Sequence, residues 1–173
     1  ADQSTINSEA LINSLTMGLV ATFIALLLLL LWLEWGPQRR QLWLWLPILL
    51  PALPLVAGQY TLALWLKLDG SWTAVVWGHL LWVMPWMLFI LQPAWQRIDS
   101  RLILIAQTLG WSRAKIFFYV KCPLMLRPVL IAFAVGFAVG IAQYMPTLWL
   151  GAGRFPTLTT EAVALSSGGS NGI

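Results

Sequence analysis

An all-α, polytopic membrane bundle is the fold class this sequence predicts, and three observations carry the prediction. Of 173 residues, 60% are hydrophobic and only 9% are charged, whereas soluble domains run near 25% charged. A chain this poor in charge cannot cover its own surface in water. Four stretches are long and apolar enough to cross a hydrocarbon core as helices, which takes about 20 residues. The basic residues gather in alternate connections between those stretches, as expected of helices that cross and recross a bilayer. The 12 Trp and 10 Pro fit the same class, because Trp favours membrane interfaces and Pro is commoner in membrane helices than in soluble ones. The length allows one domain.

The first predicted span is about 11–32 and contains the run LVATFIALLLLLLWL. It follows a polar start, ADQSTINSEA, with no basic region and no cleavage site of the signal-peptide kind; such an abrupt beginning is expected of a piece cut from a longer chain. The second span is about 42–66 and holds Pro47, Pro51 and Pro54 in the run PILLPALP. Three prolines so close free several backbone carbonyls and break the regular ladder, which membrane depth tolerates only beside protein or a water-filled cavity. The run is read as a bent helix beside a translocation path, with a purely structural kink as the alternative. The third span is about 72–91, with His79 and Pro85. The fourth is about 128–150, where Ala132, Gly136 and Gly140 recur every four residues. Ala134, Ala138 and Ala142 repeat the spacing about 200° around the helix. Small residues so placed let backbones approach closely, so this helix either lies between two neighbours or makes one tight pair. The tail from Gly151 is polar and rich in Gly and Ser.

Eight of the ten basic residues sit in two connections: Arg39 and Arg40 after the first span, and Arg97, Arg101, Arg113, Lys115, Lys121 and Arg127 in the 92–127 stretch after the third. The positive-inside bias makes both cytoplasmic, leaving the N-terminus, the KLDGS turn and the tail outside.

The spans offer little chemistry. His79 is read as a hydrogen-bonded packing residue, with a proton relay as the alternative; no carboxylate of the kind that ion-coupled transporters place in the membrane is evident. No G-x-S-x-G, H-E-x-x-H or P-loop sequence occurs, so hydrolysis within the membrane and ATP binding by this chain are not expected, and energy for uphill transport would have to come from a partner. Cys122 is the one cysteine; it cannot form an internal disulfide or a zinc site alone and reads as a small apolar residue. No cofactor, metal or nucleic-acid partner is expected.

The 92–127 connection is amphipathic and reads as two short helices. Ile98 to Leu109 forms the first, with Gly110 suited to its left-handed C-terminal cap. Ser112 suits the N-cap of the second, and Pro123, by disfavouring a helical Cys122, should end it near Lys121. Such a unit either docks a partner or lies on anionic lipid.

From Leu104 to Pro123 this loop resembles the signature of the binding-protein-dependent ABC importer permeases, the MetI-like superfamily: Glu-Ala-Ala, three residues, Gly, nine residues, then Ile-x-Leu-Pro. Ala106 falls on the second Ala, Gly110 on the Gly, Val120 on the Ile, Cys122 on the Leu and Pro123 on the Pro. Leu104 stands where that family has Glu, and Ile105 where it has the first Ala. The run Asn13-Ser14-Leu15, PILLPALP, His79 with Pro85, and Phe155-Pro156-Thr157-Leu158-Thr159-Thr160 resemble other stations of the family. The resemblance implies a permease half without enzymatic activity in a bacterial inner membrane. Its core would have five spans, the fifth lying beyond Ile173. Its implied partners are a second permease half, a cytoplasmic ATPase dimer, a periplasmic solute-binding protein and membrane lipid. Leu104, Ala106, Gly110, Val120 and Pro123 become the candidate ATPase dock, and Pro47, Pro51, Pro54, Gly136 and Gly140 the candidates for the translocation path. A passive channel or membrane scaffold without an ATPase is the competing reading. The solute stays open among thiamine, iron, polyamines and anions such as sulfate.

Overall fold

A computed structural model of the chain describes residues 3–37, 47, 49–68, 70–142, 147, 150–151 and 158–168, and every regular element among them is helical. Helix α1 spans Gln3–Trp35, and its Ser8–Trp35 portion is long and apolar enough to cross a membrane. The predicted 42–66 span appears as α2, Ala52–Trp65. Its N-terminal part lies largely outside the described residues, and the 14 described helical residues fall short of the length a span needs. Pro51 caps α2 with φ −58° and ψ 139°, and Pro54 sits in the first turn, where a missing N–H removes no helical bond. The proline run thus marks a helix boundary.

Helix α3, Trp72–Gln96, has Ser71 as N-cap, its hydroxyl accepting from the Ala74 N–H. It runs past the expected end at Leu91 despite Pro85 and Pro93 and is the second helix able to cross a membrane alone. The amphipathic loop follows as α4 (Ser100–Thr108) and α5 (Arg113–Ile116). Pro123 does not end the chain's helical course at Lys121, as expected. A π-helical turn, Phe117–Lys121, carries it into α6 (Cys122–Leu124), with Cys122 helical at φ −58° and ψ −46°. The wider turn accommodates the proline ring that a tight ladder would exclude. The direction changes two residues later, at Met125, where the 113–124 segment and α7 (Leu126–Ile141) meet at 73°. Pro128, lacking an N–H, leaves the Leu124 carbonyl without its ladder partner at that bend.

Part of the polar tail forms a further helix, α8 (Leu158–Gly168). The Thr159 hydroxyl donates to the Ile141 carbonyl at 3.0 Å and ties it to the end of α7.

Helices α1, α3 and α7 pack against one another around Ala25, Leu29, Val83, Met87, Leu88, Leu91 and Ala132. A second cluster, Met17, Ala63, Ala74, Val75 and Leu150, closes the end near the 66–71 turn. The two small-residue stripes of α7 separate cleanly: Ala132, Gly136 and Gly140 are buried, whereas Ala134, Ala138 and Ala142 are exposed. A side chain at Gly140 would meet the Gly18 Cα at 3.2 Å, so two backbones touch there. At Gly136 it would meet Met87 and Thr22. Leu11, Leu15, Leu19, Phe23, Leu27 and Leu31 are exposed along one stripe of α1, a face that lipid or another membrane helix can cover.

Candidate functional site

The 92–127 loop folds back on the end of α1, and one carboxylate organises the junction. Glu34 lies in the last turn of α1, with its side chain only 2% exposed. A carboxylate at a helix C-terminus faces the negative end of the dipole, and burial adds the loss of its hydration. Both costs are offset by two cations from the loop. Arg113 Nε donates to one carboxylate oxygen at 2.8 Å, and the Lys121 ammonium pairs with the other. The Arg113 guanidinium also donates to the Glu34 backbone carbonyl, so it serves the helix end as well as the charge.

Aromatic rings surround this clamp. The Phe117 ring lies 5.2 Å from Trp35 and 6.2 Å from Trp95, centroid to centroid. Lys121 Nζ stands 4.9 Å over Trp95, and Arg113 Cζ 5.8 Å over Trp35. Such contacts stabilise a cation whose hydration is reduced. A cavity of about 340 Å³ opens beside the clamp, lined by Glu34, Ile103, Gln107, Trp111, Arg113, Ile116 and Lys121. Burial, and next the Glu34 carboxylate, raise the Cys122 thiol above its ordinary pKa.

The turn between the two loop helices has the predicted caps. Gly110 takes φ +75°. Its N–H bonds to the Gln107 carbonyl at 2.9 Å, and the Trp111 N–H to the Ala106 carbonyl at 3.1 Å, the paired bonds of a Schellman ending. The Ser112 hydroxyl then accepts from the Lys115 N–H. Asp99, not singled out from the sequence, caps α4 by accepting from the Arg101 N–H.

The five candidate docking residues differ in exposure. Leu104 is 62% exposed, and Gly110 and Pro123 are exposed, whereas Ala106 is buried and Val120 is half-buried in the π-helical turn. Ile105 and Leu109 extend the exposed apolar face around Leu104. Of the candidates for a path, Pro47 is buried, Pro51 and Pro54 are exposed, and Gly136 and Gly140 sit in the contacts of α7 with α1 and α3. His79, fully buried, shares a 2.9 Å hydrogen bond with Thr147 through one ring nitrogen. Glu34 was missed. Its partners lie 79 and 87 residues away, and the one local sign is a lone carboxylate closing a long apolar run, at the helix end its charge disfavours.

These features define a polytopic α-helical membrane protein with an ordered, ion-clamped loop between two of its apolar helices. Residues 40–168 match the family described as "Binding-protein-dependent transport system inner membrane component", and the chain belongs to that family of inner-membrane permeases. Two relatives are each named spermidine/putrescine transport system permease protein PotC homolog. The one from Mycoplasma genitalium is 30% identical over 107 residues, covering 60% of this chain and 37% of the relative. The one from Mycoplasma pneumoniae is 30% identical over 94 residues, covering 54% and 32%. The chain thus matches about a third of the length of these curated relatives.

Proposed function

We propose that this chain forms half of the translocation pathway of an ATP-driven importer, and that its 92–127 loop receives the movement of a cytoplasmic ATPase. The observation that carries this reading is the loop's construction. Capped helices hold an exposed apolar face, Leu104, Ile105 and Leu109, on one side. On the other, Glu34 binds Arg113 and Lys121 to the end of α1. A push on that face reaches α1 through a buried ion pair and close aromatic packing, so the loop and the helix move together. ATP binding would then shift the balance between inward- and outward-open forms. The dock is apolar where the resembling signature has Glu, because Leu104 occupies that position.

The basic loops face the cytoplasm in this reading, and the 66–71 turn faces the periplasm, where a solute-binding protein delivers its cargo. The exposed Ala134, Ala138 and Ala142 stripe suits close approach of a second permease half. The relatives' names make spermidine and putrescine the first solutes to try.

The test is co-purification with the ATP-binding subunit, together with the stimulation of its hydrolysis by the binding protein. The wild-type chain is expected to retain the subunit. Gly110→Val puts a β-branched side chain at φ +75°, a strain of about 1–2 kcal/mol, and is expected to reposition α5 and lose both assembly and stimulation. Leu104→Glu leaves the loop folded, since the side chain is exposed, and weakens assembly by charging an apolar contact. Wild-type behaviour of Gly110→Val would remove the loop as the dock. Failure of the unaltered chain to bind any ATPase would favour the passive channel.

A further inference from the structure

We propose that Gln59, His79 and Trp82 form a hydrogen-bonding station on the solute path, suited to an uncharged hydroxyl or amide group of the solute. The proposal rests on the reading of the chain as a permease and adds to it a site and a ligand chemistry. The starting observation is a set of orphaned groups. Gln59 is 6% exposed and His79 2%, yet both polar atoms of the Gln59 amide, His79 Nδ1 and Trp82 Nε1 are buried without a hydrogen-bond partner. Among the described residues the one other such atom is Trp32 Nε1, near the opposite end of the bundle. Buried polar groups are ordinarily paired, and an unpaired one at membrane depth is a standing cost. A packing role explains the His79–Thr147 bond but leaves these four atoms unexplained.

The register of the helices brings Gln59 and His79 to about one depth, with Trp82 about 4.5 Å further along α3. Ala63 of α2 and Val75 of α3 belong to one buried cluster with Leu150. Stepping one helical turn away from the 66–71 turn leads from Ala63 to Gln59 and from Val75 to His79, on the same faces. His79 is bonded to Thr147, three residues from Leu150. An apolar layer is therefore followed by a polar one, and Trp82 continues the His79 face of α3 three residues on. The chemistry of the layer is neutral: an amide that donates and accepts, an imidazole nitrogen, and an indole N–H. Within residues 10–33, 52–65, 72–96 and 126–141 no carboxylate occurs, and the one formal charge is Arg127 at the start of α7. No carboxylate on these stretches of α1, α2, α3 and α7 offers an ammonium group a counter-charge, so this layer does not suit the polyamines in the relatives' names, whereas a hydroxyl or amide finds both donors and acceptors.

The test uses thiol chemistry in right-side-out membrane vesicles containing the permease with its ATP-binding partner and with Cys122→Ser. Gln59→Cys and, separately, His79→Cys are exposed to a cationic and an anionic impermeant methanethiosulfonate, each normalised to its rate with a free thiol; Val83→Cys in the packed core is the control. Both reporters are expected to react in one nucleotide state and Val83→Cys in none, with cation and anion rates within about threefold of each other. A bias beyond about tenfold toward the cation, the size of effect a charged cleft produces, would overturn the neutral chemistry. Absence of reaction at both positions in every nucleotide state would overturn the station itself. Reaction independent of nucleotide would uphold the station and count instead against ATP-driven transport. Two independent reporters keep the result decisive if one variant fails to insert.

Discussion

At the residue scale, Glu34 is the side chain on which the loop turns. Removing one partner of a buried ion pair leaves the other charge uncompensated, at a cost of about 3–5 kcal/mol. Arg113 is 62% exposed and Lys121 only 13%, so Lys121 is the partner that suffers more when Glu34 is lost. Glu34→Gln is expected to lower the melting temperature of the purified protein in detergent, and Lys121→Gln added to it to recover part of the loss. A strictly additive double mutant would show that the pair is not coupled. The same substitution has a local reporter. Burial and the Glu34 carboxylate both hold the Cys122 thiol above its usual pKa, and the thiolate is the reactive form. Alkylation of Cys122 therefore rises with pH through a midpoint above that of a free thiol. Glu34→Gln removes the second cause, so the midpoint moves down and the rate at neutral pH increases.

At the scale of elements, the α1–α7 contact depends on two glycines. A Cβ at Gly140 meets the Gly18 Cα at 3.2 Å and the Gly18 carbonyl oxygen at 3.6 Å, and backbone cannot turn aside as a side chain does. Gly140→Val is expected to push the helices apart and destabilise by about 1–3 kcal/mol, read as a lower melting temperature. Gly58→Ala is the control: a Cβ there meets nothing within 4 Å, so no loss of stability is expected. A Gly140→Val protein as stable as the wild type would mean that the two helices are not in direct contact. The proline elements follow a similar logic. Pro51 and Pro54 stop and start a helix because the ring and the missing N–H act locally. Pro123 does not stop one, because a π-helical turn upstream gives the ring room. The preference of a residue before proline for extended backbone is a local tendency, and the packing of Phe117 between Trp35 and Trp95 holds that turn against it.

For the whole molecule the decisive property is orientation. The positive-inside bias predicts that the exposed Ser112 faces the cytoplasm and the exposed Leu68 the opposite side. With Cys122 replaced, Ser112→Cys is expected to resist an impermeant thiol reagent in intact cells and to label after lysis, and Leu68→Cys to label in both. The reverse pattern would invert the protein and move the proposed ATPase dock to the wrong side.

The sequence by itself determined the helical membrane class, the long apolar helices α1 and α3, and the Gly110 and Ser112 caps. Each depends on local periodicity, on a φ only glycine adopts cheaply, or on the composition of one helix face. The resemblance to the family was legible for the same reason, since the spacing that carries it lies within one loop. Tertiary structure decided the rest. Glu34 meets Arg113 and Lys121 only because the loop folds back across the chain. Of the two equally spaced small stripes on α7, one is buried and the other exposed, because α1 and α3 occupy a single side. Gln59 and His79 share a depth only through the antiparallel register of α2 and α3. Pairings between residues so far apart in sequence leave no local trace, because their energy comes from desolvation and packing that exist only once the helices have assembled.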